Sequence, residues 1–84
     1  MKYTNVKVYA TSTCQYCQMV ADWLTTKNVK FVKILVDRND QAAMEMVHKT
    51  GQMGVPVTEV TDNDGHSEFV IGFNPPKLAQ MLGV

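Results

Sequence analysis

The chain has 84 residues, of which 45% are hydrophobic and 19% are charged, and its formal net charge at pH 7 is zero. This length allows one small domain with a single modest core, so we expect one domain over residues 1–84. The balanced charge gives no electrostatic drive towards nucleic acid or an anionic membrane, and we exclude both as partners. The first residues are too polar for a signal peptide and no apolar run approaches the length of a membrane span, so we expect a cytoplasmic protein.

The first half of the chain is predicted to form a strand, a helix and a second strand. Residues 6–10 alternate in character as a β-strand does, and the polar residues 11–13 include helix-capping types. Residues 15–27 have helical periodicity, and Asn28 is expected to end this helix. Residues 31–36 are rich in β-branched side chains and almost continuously apolar, which is typical of a buried parallel strand. The inward face of the helix is expected to carry Cys17, Val20, Trp23, Leu24 and Lys27.

The second half is predicted to contain a helix, a hairpin and a last helix. Turn and capping residues at 37–40 precede the second helix, which is expected to end at Gly51. Residues 57–61 and 67–71 resemble strands, and residues 62–66 between them favour a hairpin turn. Residues 72–76 then introduce a short C-terminal helix. The inward faces of these two helices are expected to carry Ala43, Met46, Val47 and Thr50, and Leu78, Met81 and Leu82, respectively.

These elements follow the order β-α-β-α-β-β-α, which indicates an α/β domain. Strands joined through a helix are expected to be parallel, and the last two strands form an antiparallel hairpin. We therefore expect a four-stranded mixed sheet flanked by three helices. No internal repeat, low-complexity tract or linker indicates a second domain.

The chemistry of the chain is concentrated in the motif Cys14-Gln15-Tyr16-Cys17, which contains its only two cysteines. The motif lies where a strand is predicted to lead into a helix, and a helix start stabilises a thiolate. The helix dipole alone lowers a thiol pKa by about one unit, so we expect backbone N–H or S–H donors to contribute the rest. Cys14 is then the exposed nucleophile and Cys17, one turn further on, the buried resolving thiol. No lysine or histidine adjoins the pair in sequence.

Two further interpretations of the cysteines remain at this point. They are either unreactive, which their place at a strand-to-helix junction argues against, or half of a metal site. Zinc needs four ligands, and only His48 and His66 remain to supply the other two. Their spacing is unlike that of known zinc modules, so we expect surface histidines and no metal site. A separate signal is the Val55-Pro56 pair, for which sequence alone predicts a trans bond and a proline at the start of an edge strand.

The combined motifs resemble the glutaredoxin family of the thioredoxin superfamily over essentially the whole chain. They comprise the strand, the C-x-x-C and its helix, Gly-Val-Pro at 54–56 before a hairpin, and Gly-Phe-Asn-Pro at 72–75 before a last helix. The segment Gly-Gln-Met-Gly-Val-Pro-Val at 51–57 is most similar to small glutaredoxin-like proteins and to the redoxins that feed electrons to ribonucleotide reductase. The resemblance implies a thioredoxin fold, a monomer and a redox-active disulfide in place of a cofactor.

The resemblance also assigns roles to individual residues. It implies that Cys14 is the nucleophile, that Cys17 resolves the mixed disulfide, and that Pro56 is cis. The Val55 backbone would pair with the substrate chain as an added strand. The remaining residues implied to border the substrate are Thr11, Ser12, Thr13, Gln15, Tyr16, Gly72 and Phe73.

Two departures from the family pattern bear on the electron donor. Gln15 replaces the proline usual between the cysteines, a change that we expect to alter the reduction potential. Phe73 stands where glutathione-using members have a second glycine, and Pro75-Pro76 stand where they have a polar pair. Proline has no N–H, so donors are lost from a helix terminus that binds an anion. The same prolines also suit the first turn of a helix.

We therefore expect a dithiol oxidoreductase that reduces protein disulfides and is recharged by a flavoenzyme of the thioredoxin-reductase type. Its candidate substrates are disulfide-containing proteins, with ribonucleotide reductase among them. The alternatives left open are a glutathione-dependent glutaredoxin and a module that binds metal or an iron–sulfur cluster through the two thiolates.

Overall fold

The computed structural model describes residues 3–84. Within that range the chain forms four strands and three helices in the predicted order. Their bounds are β1 (Tyr3–Ala10), α1 (Gln15–Thr26), β2 (Val32–Leu35), α2 (Asp40–Thr50), β3 (Val57–Asp62), β4 (Ser67–Ile71) and α3 (Pro75–Leu82). None of these helices is long and apolar enough to cross a membrane.

The four strands form one mixed sheet in the order β2-β1-β3-β4, as predicted. β1 is parallel to β2, whereas β3 is antiparallel to both β1 and β4. The expectation that all helix-connected strands are parallel is therefore wrong for β3. The reason is that α2 and the loop after it return the chain to the end of the sheet where β2 finishes. There Leu35 pairs with Ala10 and Val57 pairs with Tyr9, so β3 runs in the opposite direction.

The second strand differs from the prediction of a buried parallel strand. β2 is parallel to β1 but lies at the edge of the sheet, where it has one neighbour. Val32 is 54% exposed, and Lys33 is also exposed. Its apolar composition is typical of a central strand, but the helices leave this edge only partly covered.

Helices cover both faces of the sheet. The alternating side chains Val6, Val8 and Ala10 of β1 pack with residues of α1 and α3 in the larger core cluster. Tyr9, which points to the other face, packs with Met46 of α2. Both cysteines border or belong to the larger cluster, so α1 presents them from that side of the sheet.

Two predicted helix faces need correction. In α2 the buried residues are Ala42 and Met46, whereas Ala43, Val47 and Thr50 are half-buried. Ala43 and Val47 instead border an open surface groove, because α2 is rotated relative to the predicted face. In α1 and α3 the predicted residues Cys17, Val20, Leu24, Leu78 and Leu82 are buried, Trp23 and Met81 are half-buried, and Lys27 is exposed.

Candidate dithiol site at the start of the first helix

Most of the predicted site residues come from three loops at one end of the sheet, and Gln15, Tyr16 and Cys17 lie in the first turn of α1. Residues 11–14 follow the end of β1, and residues 55–56 precede the start of β3 beside it. Residues 72–73 follow the end of β4, whose last residue pairs with the first of β3. The sheet topology thus brings the segments singled out in the sequence to the same end of the molecule.

Cys14 is the N-cap of α1, a position for which one of the polar residues 11–13 was expected. Its backbone is extended, and its Sγ accepts a hydrogen bond from the Cys17 N–H at 3.1 Å. The sulfur is therefore in the place of the oxygen that usually caps a helix. A backbone donor and the positive end of the helix dipole both favour a negative charge there. This confirms the expectation that a backbone N–H donates to the Cys14 sulfur.

Cys17 lies in a different environment, although both cysteines are free thiols. Its side chain is 1% exposed within the larger core cluster. Burial, followed by the hydrogen bond with Cys14, raises the pKa of Cys17 to about 11, although a backbone hydrogen bond of Thr11 and the charge of Lys33 act in the opposite direction. At neutral pH Cys17 is thus a protonated thiol held next to the sulfur of Cys14.

The loop before Cys14 is held by Asp37, a residue that the sequence analysis did not single out. The backbone N–H of Ser12 donates to Oδ2 of Asp37 at 3.2 Å, and the Ser12 hydroxyl donates to the same oxygen. These two hydrogen bonds hold the pKa of the Asp37 carboxyl below its usual value. Within the loop, the Thr11 carbonyl accepts the N–H of Cys14 at 3.5 Å.

The loops around Pro56 and Gly72 are joined to each other. The Val55-Pro56 peptide bond is cis, as the family resemblance implied and contrary to the expectation from sequence alone. The Pro56 carbonyl accepts the N–H of Gly72 at 2.9 Å. Of the residues implied to border the substrate, Phe73 is half-buried against the larger core cluster, whereas Tyr16 is 63% exposed.

The start of α3 has few free backbone donors. Pro75 and Pro76 occupy its first two positions and have no N–H. The third N–H, that of Lys77, is capped by the side chain of Asn74 at 3.3 Å. A helix start normally offers these groups to an anion. Here all three positions are unable to donate to a ligand.

The structure does not assemble the metal site that was weighed for the cysteines. Within the described part of the chain, one group of three side chains could hold a metal ion, namely Asp62, Asp64 and His66. That group lies in the hairpin turn at the opposite end of β3 from Pro56 and contains neither cysteine. His48 is exposed on α2.

Two charged residues near the site were missed in the sequence, namely Lys33 and Asp37. No lysine adjoins the cysteines in the chain, but Lys33 acts on Cys17 from the edge strand. Both lie in or after β2, whose parallel pairing with β1 carries them towards the same end of the sheet. That pairing was the available signal, because carboxyl ends of neighbouring parallel strands meet at one edge.

Comparison with known proteins gives consistent similarities. A family model described as Glutaredoxin matches residues 6–64. An uncharacterized glutaredoxin-like 8.6 kDa protein in the rubredoxin operon of Clostridium pasteurianum is 30% identical over 77 residues, which are 92% of this chain and 96% of that relative. The glutaredoxin-like protein NrdH of Lactococcus lactis subsp. cremoris is 32% identical over 77 residues, 90% of this chain and 97% of that protein. The crystal structure of the glutaredoxin grx-1 from Archaeoglobus fulgidus has a TM-score of 0.77 at 25% identity and covers 93% of this chain and 85% of that one.

Proposed function

The chain belongs to the glutaredoxin family, and from that premise we propose that it reduces protein disulfides by dithiol exchange at Cys14 and Cys17. The observation that carries the proposal is the contrast between the two sulfurs. Cys14 accepts the N–H of Cys17 at the start of α1, whereas the thiol of Cys17 is buried and protonated. The Cys14 sulfur is thus arranged to attack the substrate first, and the Cys17 thiol is arranged to react in the second exchange.

The reaction divides into two exchanges. The Cys14 thiolate attacks one sulfur of the substrate disulfide, so that a mixed disulfide forms and a substrate thiolate leaves. Cys17 then loses its proton and attacks the Cys14 sulfur, which releases the second substrate thiolate. The substrate has gained two electrons and, after protonation, two protons, and the protein holds a Cys14–Cys17 disulfide. The dithiol itself is the redox group, so the proposal requires no added cofactor.

The substrate chain is proposed to bind beside Pro56. The Val55 backbone would pair with it as an added strand, and the exposed Tyr16 would border it. Because the chain resembles redoxins that feed electrons to ribonucleotide reductase, that enzyme is a candidate partner.

The electron source is proposed to be a flavoenzyme of the thioredoxin-reductase type. The start of α3 supports this proposal, because its first two positions are proline and Asn74 occupies the third N–H. A glutathione carboxylate would find no backbone donor at these three positions. A protein reductase needs no anion site there.

A reductase-coupled assay tests the proposal. Reduction of a protein disulfide is followed with thioredoxin reductase and NADPH, and separately with glutathione, glutathione reductase and NADPH. We expect turnover in the first system and little in the second. Equal turnover in the two systems would contradict the proposed electron source.

Cysteine variants test the division of labour in the same assay. Cys14→Ser should abolish turnover, because no nucleophile remains. Cys17→Ser should accumulate mixed disulfides with substrate, which mass spectrometry detects as covalent adducts. Normal turnover of Cys17→Ser would exclude the resolving role. Metal analysis and an absorption spectrum of the purified protein address the alternative that the thiolates hold zinc or an iron–sulfur cluster.

A further inference from the structure

Asp37 is an exposed carboxylate that contacts the turn preceding the nucleophile. It follows β2, and the N–H of Val36 donates to the Ala10 carbonyl at 2.8 Å, which continues the pairing of β2 with β1. The next residue therefore lies against the first residues of the loop after β1. There Oδ2 of Asp37 accepts both the backbone N–H and the hydroxyl of Ser12.

The turn that Asp37 contacts is hydrogen-bonded to Cys14. The Cys14 N–H donates to the Thr11 carbonyl at 3.5 Å, which closes a turn with Ser12 at its corner. The backbone of Thr11 also acts to lower the pKa of the Cys17 thiol, against the larger effect of burial. A displacement of the turn would therefore change the position of the Cys14 sulfur relative to the Cys17 N–H, which is its donor.

We propose that Asp37 is a positioning residue for the dithiol, in that its carboxylate holds the turn at Ser12 and so keeps the Cys14 sulfur on the N–H of Cys17. The inference deepens the proposed function and rests on it. Hydrogen bonds to a carboxylate are shorter and stronger than neutral ones. The charge of Asp37 is solvent-exposed and screened, so its hydrogen bonds to Ser12 provide its effect on the sulfur.

The pH profile of Cys14 alkylation tests the proposal without requiring turnover. The reduced protein is treated with iodoacetamide at a series of pH values, and the rate of single labelling is measured for Asp37→Asn, Asp37→Ala and Ser12→Ala. We expect the rate at pH 7 to fall between about threefold and tenfold for Asp37→Ala, which loses both hydrogen bonds with Ser12. The fall should be smaller for Ser12→Ala, which keeps the bond from the backbone N–H. The pH midpoint of alkylation should move upwards for Asp37→Ala and for Ser12→Ala.

Two controls separate the hydrogen bonds from other effects of the substitutions. Ser12→Thr keeps the hydroxyl that donates to Asp37, so its alkylation profile should remain that of the wild-type protein. Asp64→Asn removes an equal charge from the hairpin turn at the other end of the sheet and should leave the profile unchanged. Ser12→Ala combined with Asp37→Ala should lose no more than Asp37→Ala alone, because the two residues act through one contact.

Several outcomes would overturn the proposal. If Asp37→Asn accelerated alkylation while Ser12→Ala had no effect, the residue would act through its charge. If the variants lowered thermal stability but kept the wild-type alkylation profile, Asp37 would only anchor the end of β2. Failure of the wild-type protein to reduce protein disulfides would contradict the proposed function, whereas the alkylation profiles would still decide the role of Asp37.

Discussion

At the residue scale, the two sulfurs of the site owe their difference to one turn of helix. Cys14 caps α1 and is partly exposed, whereas Cys17 lies one turn inside and is buried. The N–H that Cys17 donates to Cys14 belongs to the same residue whose thiol is kept neutral. A single short segment therefore supplies the proposed nucleophile, the N–H that donates to it and the proposed resolving thiol.

Selective alkylation of the folded protein should report this difference. Because the pKa of Cys17 is raised to about 11, only roughly one Cys17 thiol in a thousand is ionised at pH 8. We expect iodoacetamide to add one label, on Cys14, from pH 6 to pH 9. Labelling of Cys17 should increase only as the pH approaches 11, since a raised pKa retains the proton to higher pH. Peptide mass spectrometry assigns the labelled cysteine.

Unfolded protein provides the control for this measurement. In urea both thiols should have an ordinary pKa of about 8.5, so two labels are expected at pH 9. Two labels on the folded protein at pH 8 would show that Cys17 is neither buried nor held neutral as described.

The residues of the site could be predicted where the signal was local. Cys14 and Cys17 lie at a strand-to-helix boundary that is visible in the chain, and their exposure follows from helical spacing. Asp37 could not be found in this way, because its contact with Ser12 joins residues 25 positions apart. Lys33 likewise acts on Cys17 from a different element of the chain. Both depend on how β1 and β2 pair, which no local pattern expresses.

At the scale of elements, the amino-acid composition of β2 gave a wrong prediction of its burial. β2 has the apolar composition of a central strand but lies at the sheet edge, with Val32 54% exposed. In contrast, Asn39 and Gly51 bound α2 as capping chemistry predicts, since Asn39 accepts the Ala42 N–H and Gly51 is left-handed. The residues at which a helix begins and ends are determined by local capping interactions. The burial of a strand depends instead on the elements that pack beside it.

The start of α3 is the element whose chemistry bears on the electron donor. We expect the double variant Pro75→Ala/Pro76→Ala to lower the KM for glutathione in the glutathione-reductase-coupled assay. Two restored N–H groups at a helix N-terminus favour an anion by an amount that corresponds to about a twofold to fivefold change. Steady-state kinetics against glutathione concentration measures the effect.

A substitution on the same helix gives the matched control. Gln80 is exposed near the C-terminal end of α3, and Gln80→Ala should leave the KM for glutathione unchanged. If the double proline variant also left it unchanged, the missing N–H groups would not be what limits the use of glutathione.

At the scale of the whole molecule, the two faces of the sheet differ in polarity. The face covered by α1 and α3 has a large apolar core. On the face covered by α2, the Tyr9 hydroxyl donates to Glu59 at 3.3 Å and the Lys49 ammonium lies 3.2 Å from the same carboxylate. This cluster joins β1, β3 and the end of α2. The loop that carries Pro56 begins directly after α2, so the cluster holds the helix end from which this loop starts.

Sequence reasoning predicted the mixed sheet but not the direction of β3 or this buried charge. The direction depends on where α2 and its loop return the chain, which is a property of the assembled fold. Glu59 occupies a strand in which a charged side chain is expected to face solvent. Its burial is explained only by Lys49 and Tyr9, which come from two other elements.

The pKa values of the cluster describe how it behaves with pH. Burial, followed by the charge of Glu59, raises the pKa of Tyr9. Partial burial lowers the pKa of Lys49, but the hydrogen bond and charge of Glu59 outweigh it and raise the pKa above 10.5. The stabilising contribution of Lys49 is therefore complete below the unfolded-state pKa and is lost only as the pH rises through the higher folded value.

Removing Lys49 should destabilise the fold through the charge left on Glu59. Breaking a fully buried ion pair costs about 3–5 kcal/mol, but the Lys49 side chain is 38% exposed, so we expect about 2 kcal/mol for Lys49→Met. Urea unfolding gives the free energy, with Lys30→Met as the control for an exposed lysine, expected within about 0.5 kcal/mol of wild type. Glu59→Gln added to Lys49→Met should recover part of the loss, because the buried charge is gone. The loss of unfolding free energy should be equal at pH 6 and pH 8, since Lys49 stays charged at both. A loss no larger than that of Lys30→Met would mean that water already solvates Glu59.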